Sequence, residues 1–369
     1  MNNAPRSIFT ALALLSSVKA GDSPALFSPV DAVALTALPA SERAVTGLVA
    51  VAGRLYGTTT GSAGHLFSFD PAERAVRDLH GLKGGAGFSF GLVRVGDALF
   101  AGTQRDPTGI GRTPEPEAVG RLLRFTLTGA EVGVEDHGVA IAGEGIYTLA
   151  YSPRSEEVVG LTFPAGHFLA HGVASGTTRD LGAIAGHRRF EDDEPCQVAR
   201  AIAVGADGAL YTSGKDGVIH RYDPESGSLA PLGASIPSLP GRESWASLEC
   251  AATAADGVIY GGTSDGYLFR FEPRAGLVVN LGKPIRQGGF DGIVISPTGL
   301  VYAIAGERGG MPREVRYDPR GGGFVLGGIP KVDSASNMEG FGAVVAGPNG
   351  LVWAGELDRI ARLVSYRIE

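Results

Sequence analysis

The sequence predicts an all-β protein, a seven-bladed β-propeller of four-stranded blades whose ring is closed by an N-terminal strand. Three observations carry that expectation: a composition that disfavours helices, an internal repeat of roughly 50 residues, and a count of seven repeats that uses nearly the whole chain. Of 369 residues, 57 are glycine and 22 are proline, which leaves little room for helices of ordinary length and favours strands joined by turns. With 44% hydrophobic and 19% charged residues, the chain has ample apolar surface for a packed core.

The repeat is clearest in the C-terminal half. Ala201-Ile202-Ala203-Val204 runs through Asp207-Gly208 into Ala209-Leu210-Tyr211, and Asp216-Gly217 then leads to Ile219-His220-Arg221-Tyr222-Asp223-Pro224. The same grammar returns at Asp256-Gly257-Val258-Ile259-Tyr260 with Leu268-Phe269-Arg270-Phe271-Glu272-Pro273, and at Thr298-Gly299-Leu300-Val301-Tyr302 with Val315-Arg316-Tyr317-Asp318-Pro319. Each unit then adds a strand such as Val278-Val279-Asn280-Leu281-Gly282, so four short strands separated by turn signals make one blade. The third strands end at Asp70, Thr126, Gly172, Asp223, Glu272, Asp318 and Arg367, which gives seven units in a single domain over residues 21–369. Arg367 stands two residues from the C-terminus, so the last unit lacks an outer strand; the segment Ala32 to Leu38 matches one in composition and is expected to supply it.

Residues 1–20 carry one early charge, Arg6, an apolar run from Ile8 to Leu15, and the ending Val18-Lys19-Ala20, the pattern of a secretory signal. The expected location is therefore secreted or periplasmic, and no window approaches the ~20 apolar residues that a membrane span needs. Export would permit a disulfide between Cys196 and Cys250, the only cysteines, and two buried free thiols would serve the sequence as well. No Cys/His cluster has zinc-ligand spacing and no cofactor fingerprint occurs, so neither metal nor cofactor is expected. The net charge of −7 and the absence of any basic block argue against nucleic-acid binding. Among the 32 basic residues 27 are arginine, a side chain suited to carboxylate recognition, although codon bias raises the same count.

Two polar columns are expected at the mouth of the ring. At the entry to the innermost strands stand Thr46, Phe90, Tyr147, Arg200, Glu249, Asp291 and Gly342; at the starts of the third strands stand His65, Arg121, His167, Val218, Tyr267, Arg313 and Arg362. Both vary from unit to unit, unlike the aromatic column Phe69, Phe125, Tyr222, Phe271, Tyr317 and Tyr366, which is expected to pack blade on blade. His171 replaces an aromatic in that column and His220 lies in a core column, so both read as interior histidines. Two long segments, Gln104 to Gly120 and His187 to Glu194, fall on the mouth side; the acidic run Glu191 to Glu194 lacks the spaced pattern of a calcium loop and reads as a solvated rim.

Tyr147, His167 and Arg200 supply what β-elimination from a uronic acid requires: a base, an acid for the leaving oxygen, and a cation that neutralises the carboxylate next to the abstracted proton. His65, Arg121, Glu249, Tyr267, Asp291, Arg313 and Arg362 are the accompanying substrate-binding candidates, with the arginines placed to hold further carboxylates. Glu249 and Asp291 alternatively form a carboxylate pair for hydrolysis. Each of these side chains also has a purely structural reading, as an ion pair or a satisfied strand-end group.

The aromatic-Asp-Pro strand ends, the Asp-Gly turns and the segment Gly166-His167-Phe168 resemble the seven-bladed polysaccharide lyases that act on uronate polymers, the ulvan and oligogalacturonate lyases. The repeat grammar is also similar to that of streptogramin-lyase-like propellers. The first resemblance implies an acidic polysaccharide or oligosaccharide as substrate and catalysis by a histidine pair with a tyrosine and an arginine; a monomer is the expected assembly. Here His167 matches one histidine, while Tyr147 stands where the second is expected, and the metal-binding histidines of the oligogalacturonate type have no counterpart. A non-catalytic carbohydrate- or protein-binding propeller is the other function the sequence accommodates.

Overall fold

In the computed structural model, residues 25–104, 115–129, 131–185, 198–286, 288–306, 312–332, 337–357 and 360–368 are described. These residues form seven antiparallel four-stranded sheets over residues 44–81, 87–139, 145–183, 203–235, 248–282, 289–326 and 341–368, the last completed by Phe27–Ala34. Strand order within the first six is sequential, innermost to outermost. The innermost strands line the axis and pack on one another around the ring, the first against both the second and the seventh.

The repeat grammar has a local physical cause at each corner. Asp207-Gly208, Asp256-Gly257 and Thr298-Gly299 turn between the first and second strands with glycine φ of 80°, 86° and 84°, a region that a side chain disfavours. The Asp207 and Asp256 carboxylates accept the backbone N–H groups of Ala209 and Val258 at 3.1 and 3.0 Å. The aspartates that end third strands act alike: Asp70, Asp223 and Asp318 accept the N–H groups of Ala72, Glu225 and Arg320, each at 2.9 Å. These bonds help hold the Asp70 and Asp318 carboxyls below the ordinary carboxylate range.

The expected aromatic column is buried at all six positions. Its rings meet the neighbouring blade: Tyr222 stacks on Phe168 at 5.5 Å, Phe271 meets Tyr211 edge-on at 5.2 Å, and Phe69 meets Trp353 at 5.3 Å. His171 takes the aromatic place in the third blade, fully buried, 6.1 Å from Phe100 and 4.6 Å from His137 of the second. Its Nδ1 pairs with Thr178 Oγ1 at 2.9 Å, and burial, followed by the neighbouring His137, lowers its pKa from 6.5 to about 4. His220, half-buried, sets Nδ1 against its own strand at the Val218 carbonyl, 3.1 Å away.

Acid should therefore weaken the ring between blades two and three. As pH falls from 6.5 towards about 4, the unfolded chain takes up a proton that folded His171 refuses, so stability is full above that window and declines through it. The loss from this side chain is on the order of 3 kcal/mol. Urea denaturation across the window should show the decline, and His171→Phe, which restores the aromatic of the other blades, should flatten it. An equal slope in that variant would place the acid sensitivity elsewhere.

The axis is narrow enough to demand glycine. A Cβ on Gly91 would fall on the Leu149 backbone nitrogen of the third blade, and one on Gly342 on the Val45 carbonyl oxygen of the first. Because the obstruction is backbone, Gly91→Ala is expected to cost several kcal/mol, on the order of 3, and a thermal midpoint within a degree or so of the parent would contradict this packing.

Ring closure follows the expected logic with a shifted segment: the strand is Phe27–Ala34, rather than Ala32 to Leu38, and pairs antiparallel with Arg362–Ile368. The described N-terminus is also pinned to blade six, since Glu314 Oε2 accepts the N–H groups of Leu26 and Phe27 at 2.7 and 3.2 Å. Of the two cysteines, Cys250 is a buried free thiol whose pKa burial pushes up, and Cys196 lies outside the described residues, as do residues 1–20 and the run Glu191 to Glu194.

Candidate functional site at the axial mouth

In six of the seven blades the innermost ladder is broken at the entry to the first strand. The pairing of first and second strands shifts between Val45 and Gly47, Ile146 and Thr148, Leu248 and Cys250, Phe290 and Gly292, and Phe341 and Ala343. Thr46, Tyr147, Glu249, Asp291 and Gly342 are the residues left over, and β-bulges re-aim such side chains. In the second blade a wider shift between Phe88 and Leu92 contains Phe90, and in the fourth Arg200 precedes the short strand Ala203–Val204. Six of the seven entry positions named from the sequence thus coincide with these irregularities, and Arg200 stands just before its strand.

The innermost strands enclose a cavity of about 220 Å³ on the axis, walled by Leu48, Leu92, Leu149 and Ile293 and carrying Arg200, Glu249, Asp291 and Phe90 at its polar end. Arg200 reaches across the axis. Its guanidinium lies 4.4 Å from the centre of the Phe90 ring in blade two. Nη2 donates to the carbonyls of Phe341 and Gly342 in blade seven at 3.4 Å and to that of Asp291 at 3.5 Å. Nη1 stands 3.8 Å from Glu249 Oε2 in blade five and 3.9 Å from Asp291 Oδ1 in blade six. One arginine therefore ties blade four to four others. Its side chain is 3% exposed, yet Nε and Nη1 have no hydrogen-bond partner among the described residues.

The two carboxylates are positioned from below. Ser247 Oγ donates to Glu249 Oε1 at 2.7 Å, and Asp291 Oδ2 accepts the Phe341 N–H at 3.2 Å. One guanidinium and two carboxylates thus share the centre. Tyr147 joins this cluster through Phe90, edge-on at 5.4 Å, and meets Phe163 at 5.6 Å on its other side. Thr46 turns inward to Thr58 Oγ1 at 3.2 Å.

The second column is organised differently. The outermost strands also carry ladder shifts, and these bring carboxylates to the third-strand starts. His65 Nδ1 pairs with Asp78 at 2.9 Å, Arg121 Nε with Asp136 at 2.7 Å, and His167 Nδ1 with Asp180 at 2.9 Å. Asp136 and Asp180 are themselves fixed by the N–H groups of Gly138 and Gly182, both at 2.8 Å. His167 is thereby engaged with the outer strand, while Arg200 lines the axial cavity and Tyr147 packs on Phe90 beside it. Arg362 grips the buried Glu356 through two nitrogens, Tyr267 lies 5.7 Å from the Lys283 ammonium, and Arg313 is half-buried at the start of its strand. Sequence reading missed the aspartate partners, whose signal is the Asp-x-Gly pattern at Asp136 and Asp180, and it missed Trp245 on the rim.

No protein-family model matches the chain, and no curated protein matches its sequence. Among solved structures, a streptogramin B lyase superposes with a TM-score of 0.67 at 11% identity, over 91% of this chain and 97% of that one. A virginiamycin B lyase from Staphylococcus aureus gives 0.65 at 12% identity, over 92% and 99%. The extracellular domain of a one-component system from B. thetaiotaomicron gives 0.59 at 13% identity, over 91% of this chain and 39% of that longer one. At such identities the likeness establishes the fold, a seven-bladed propeller. No helix among the described residues is long and apolar enough to cross a membrane.

Proposed function

We propose that this is an exported carbohydrate-binding propeller whose axial mouth takes a hydroxyl-rich sugar ring. The observation that carries the reading is Arg200: its guanidinium has two buried nitrogens without hydrogen-bond partners among the described residues, and the residue lines a cavity that also presents two carboxylates and an aromatic side chain. A buried donor left unsatisfied costs about 1–3 kcal/mol, which a ligand oxygen recovers. A sugar hydroxyl accepts from Nε or Nη1 and donates to Glu249 or Asp291 in the same contact, and Phe90 with Tyr147 offers apolar surface to the ring. A neutral ring also brings no further carboxylate beside Glu249 and Asp291, where a uronate would. Residues 1–20, with their secretory pattern, support export.

A second reading, β-elimination from a uronate at the rim, has its own observation. Asp180 holds His167 by Nδ1, the arrangement that orients an imidazole so that Nε2 serves as a base, and the His167 side chain is 28% exposed. In that reading Tyr147 supplies the proton for the leaving oxygen, and Arg121, Arg313 and Arg362 hold carboxylates along the polymer.

One experiment addresses both. The purified mature chain is titrated calorimetrically with neutral and uronate oligosaccharides while ultraviolet absorbance follows unsaturated uronate. Binding of a neutral oligosaccharide without absorbance change is the expected result. An absorbance rise abolished by His167→Ala and by Tyr147→Phe would replace binding with elimination, and heat with no sugar in the panel would overturn the carbohydrate reading.

A further inference from the structure

The rim of blade five carries a second feature of the same chemical kind. The chain holds two tryptophans; Trp353 is buried at 2% exposure, whereas Trp245 is 43% exposed in the connection that enters the innermost strand of blade five. An isolated exposed apolar side chain needs no explanation, but the backbone of this residue is bonded on both sides and an arginine lies over its ring. Its N–H backbone group donates to the Arg242 carbonyl at 2.8 Å, and its own carbonyl accepts Ser264 Oγ at 2.9 Å. The Arg242 guanidinium lies 5.2 Å from the indole centre, and Arg242 Nε stands 3.8 Å from the buried Asp265. Asp265 is anchored in turn by the Leu239 N–H at 3.1 Å.

The same anchor leads to the axis. Ser264 Oγ, which donates to Trp245, accepts the Ser247 N–H at 3.0 Å, and Ser247 Oγ donates to Glu249 at 2.7 Å. Glu249 lies four positions after Trp245, so the backbone between them spans at most roughly 14 Å. An exposed indole thus stands beside the mouth, its backbone linked through two serines to the carboxylate within it.

We propose that Trp245 is a stacking platform for an outer ring of an oligosaccharide whose inner ring occupies the axial cavity, with Arg242 steadying the indole and donating to ring hydroxyls at its edge. This rests on the carbohydrate reading above and extends it from one subsite to two. A pyranose ring presents C–H groups on one face and hydroxyls at its edge, so it can cover an indole face while hydrogen-bonding to a guanidinium beside it. A preorganised platform lowers the ordering cost of binding, and its gain should grow with the length of the sugar chain.

Because Trp353 is buried, acrylamide quenching of the intrinsic fluorescence reports mainly on Trp245. The full chain is titrated with cello-, xylo-, manno- and chito-oligosaccharides of increasing length, by calorimetry and by quenching in parallel. The expected result is protection of the fluorescence by whichever series binds, an affinity at least tenfold weaker in Trp245→Ala with the loss increasing with chain length, and substantial recovery in Trp245→Tyr. An oligosaccharide that binds by calorimetry yet leaves both the quenching and the Trp245→Ala affinity unchanged overturns the platform and leaves the axial site standing. No heat with any member of the panel overturns both.

Discussion

Deleting residues 1–39 should abolish the cooperative unfolding transition of the protein. The deletion removes Phe27–Ala34, the fourth strand of blade seven, and leaves the strand Arg362–Ile368 as an open edge. It also removes Phe27, a fully enclosed ring 5.6 Å from Tyr366 in blade seven and 5.9 Å from Tyr302 in blade six. Glu314, whose buried carboxyl has a raised pKa, would lose the two backbone N–H groups that it accepts. The single change Phe27→Ala should cost about 3–5 kcal/mol by itself, as enclosed phenylalanines do. Calorimetry or urea denaturation checks both. A truncated chain that melts at the parent temperature in one sharp step would show that the ring does not depend on this strand.

Arg200→Met should be the most damaging single change at the axial mouth, in two separable ways. The substitution takes from Glu249 and Asp291 the guanidinium that lies 3.8 and 3.9 Å from them. Breaking such a buried group typically costs about 3–5 kcal/mol, mostly the penalty on the charges left behind. Combining it with Glu249→Gln and Asp291→Asn should recover much of the stability, measured by denaturant midpoint, because no uncompensated charge remains. Sugar binding, measured by calorimetry, should stay lost in the combined variant. Recovery of binding along with stability would mean that Arg200 is a latch for the ring and takes no part in holding the ligand.

The contrast between the two columns of predicted site residues shows how far sequence alone reaches. The entry column was legible because each blade repeats the same spacing, so aligning the units placed Tyr147, Arg200, Glu249 and Asp291 together without knowledge of the breaks in the ladders. The third-strand column was equally regular, but its side chains found partners that the spacing does not disclose. His65 and His167 each pair with an aspartate thirteen residues onward, Asp78 and Asp180, across a shifted outer ladder. A shift of one residue decides which face a side chain takes. Trp245 escaped notice for the opposite reason: it occurs in one connection only and belongs to no column.

What the sequence determined by itself is the blade, its count and the need for a closing strand. Those follow from local rules: glycine at turns with positive φ, aspartates that accept nearby N–H groups, and alternation within strands a few residues long. The closed ring settles the rest: that Phe90, Arg200, Glu249 and Asp291 line one cavity while Thr46 turns to Thr58, that Arg200 bridges five blades, and that His167 pairs with Asp180. Those contacts join residues far apart in the chain, as when Arg200 meets carbonyls 141 and 142 positions away. They exist only once the ring has closed and each ladder has settled its register.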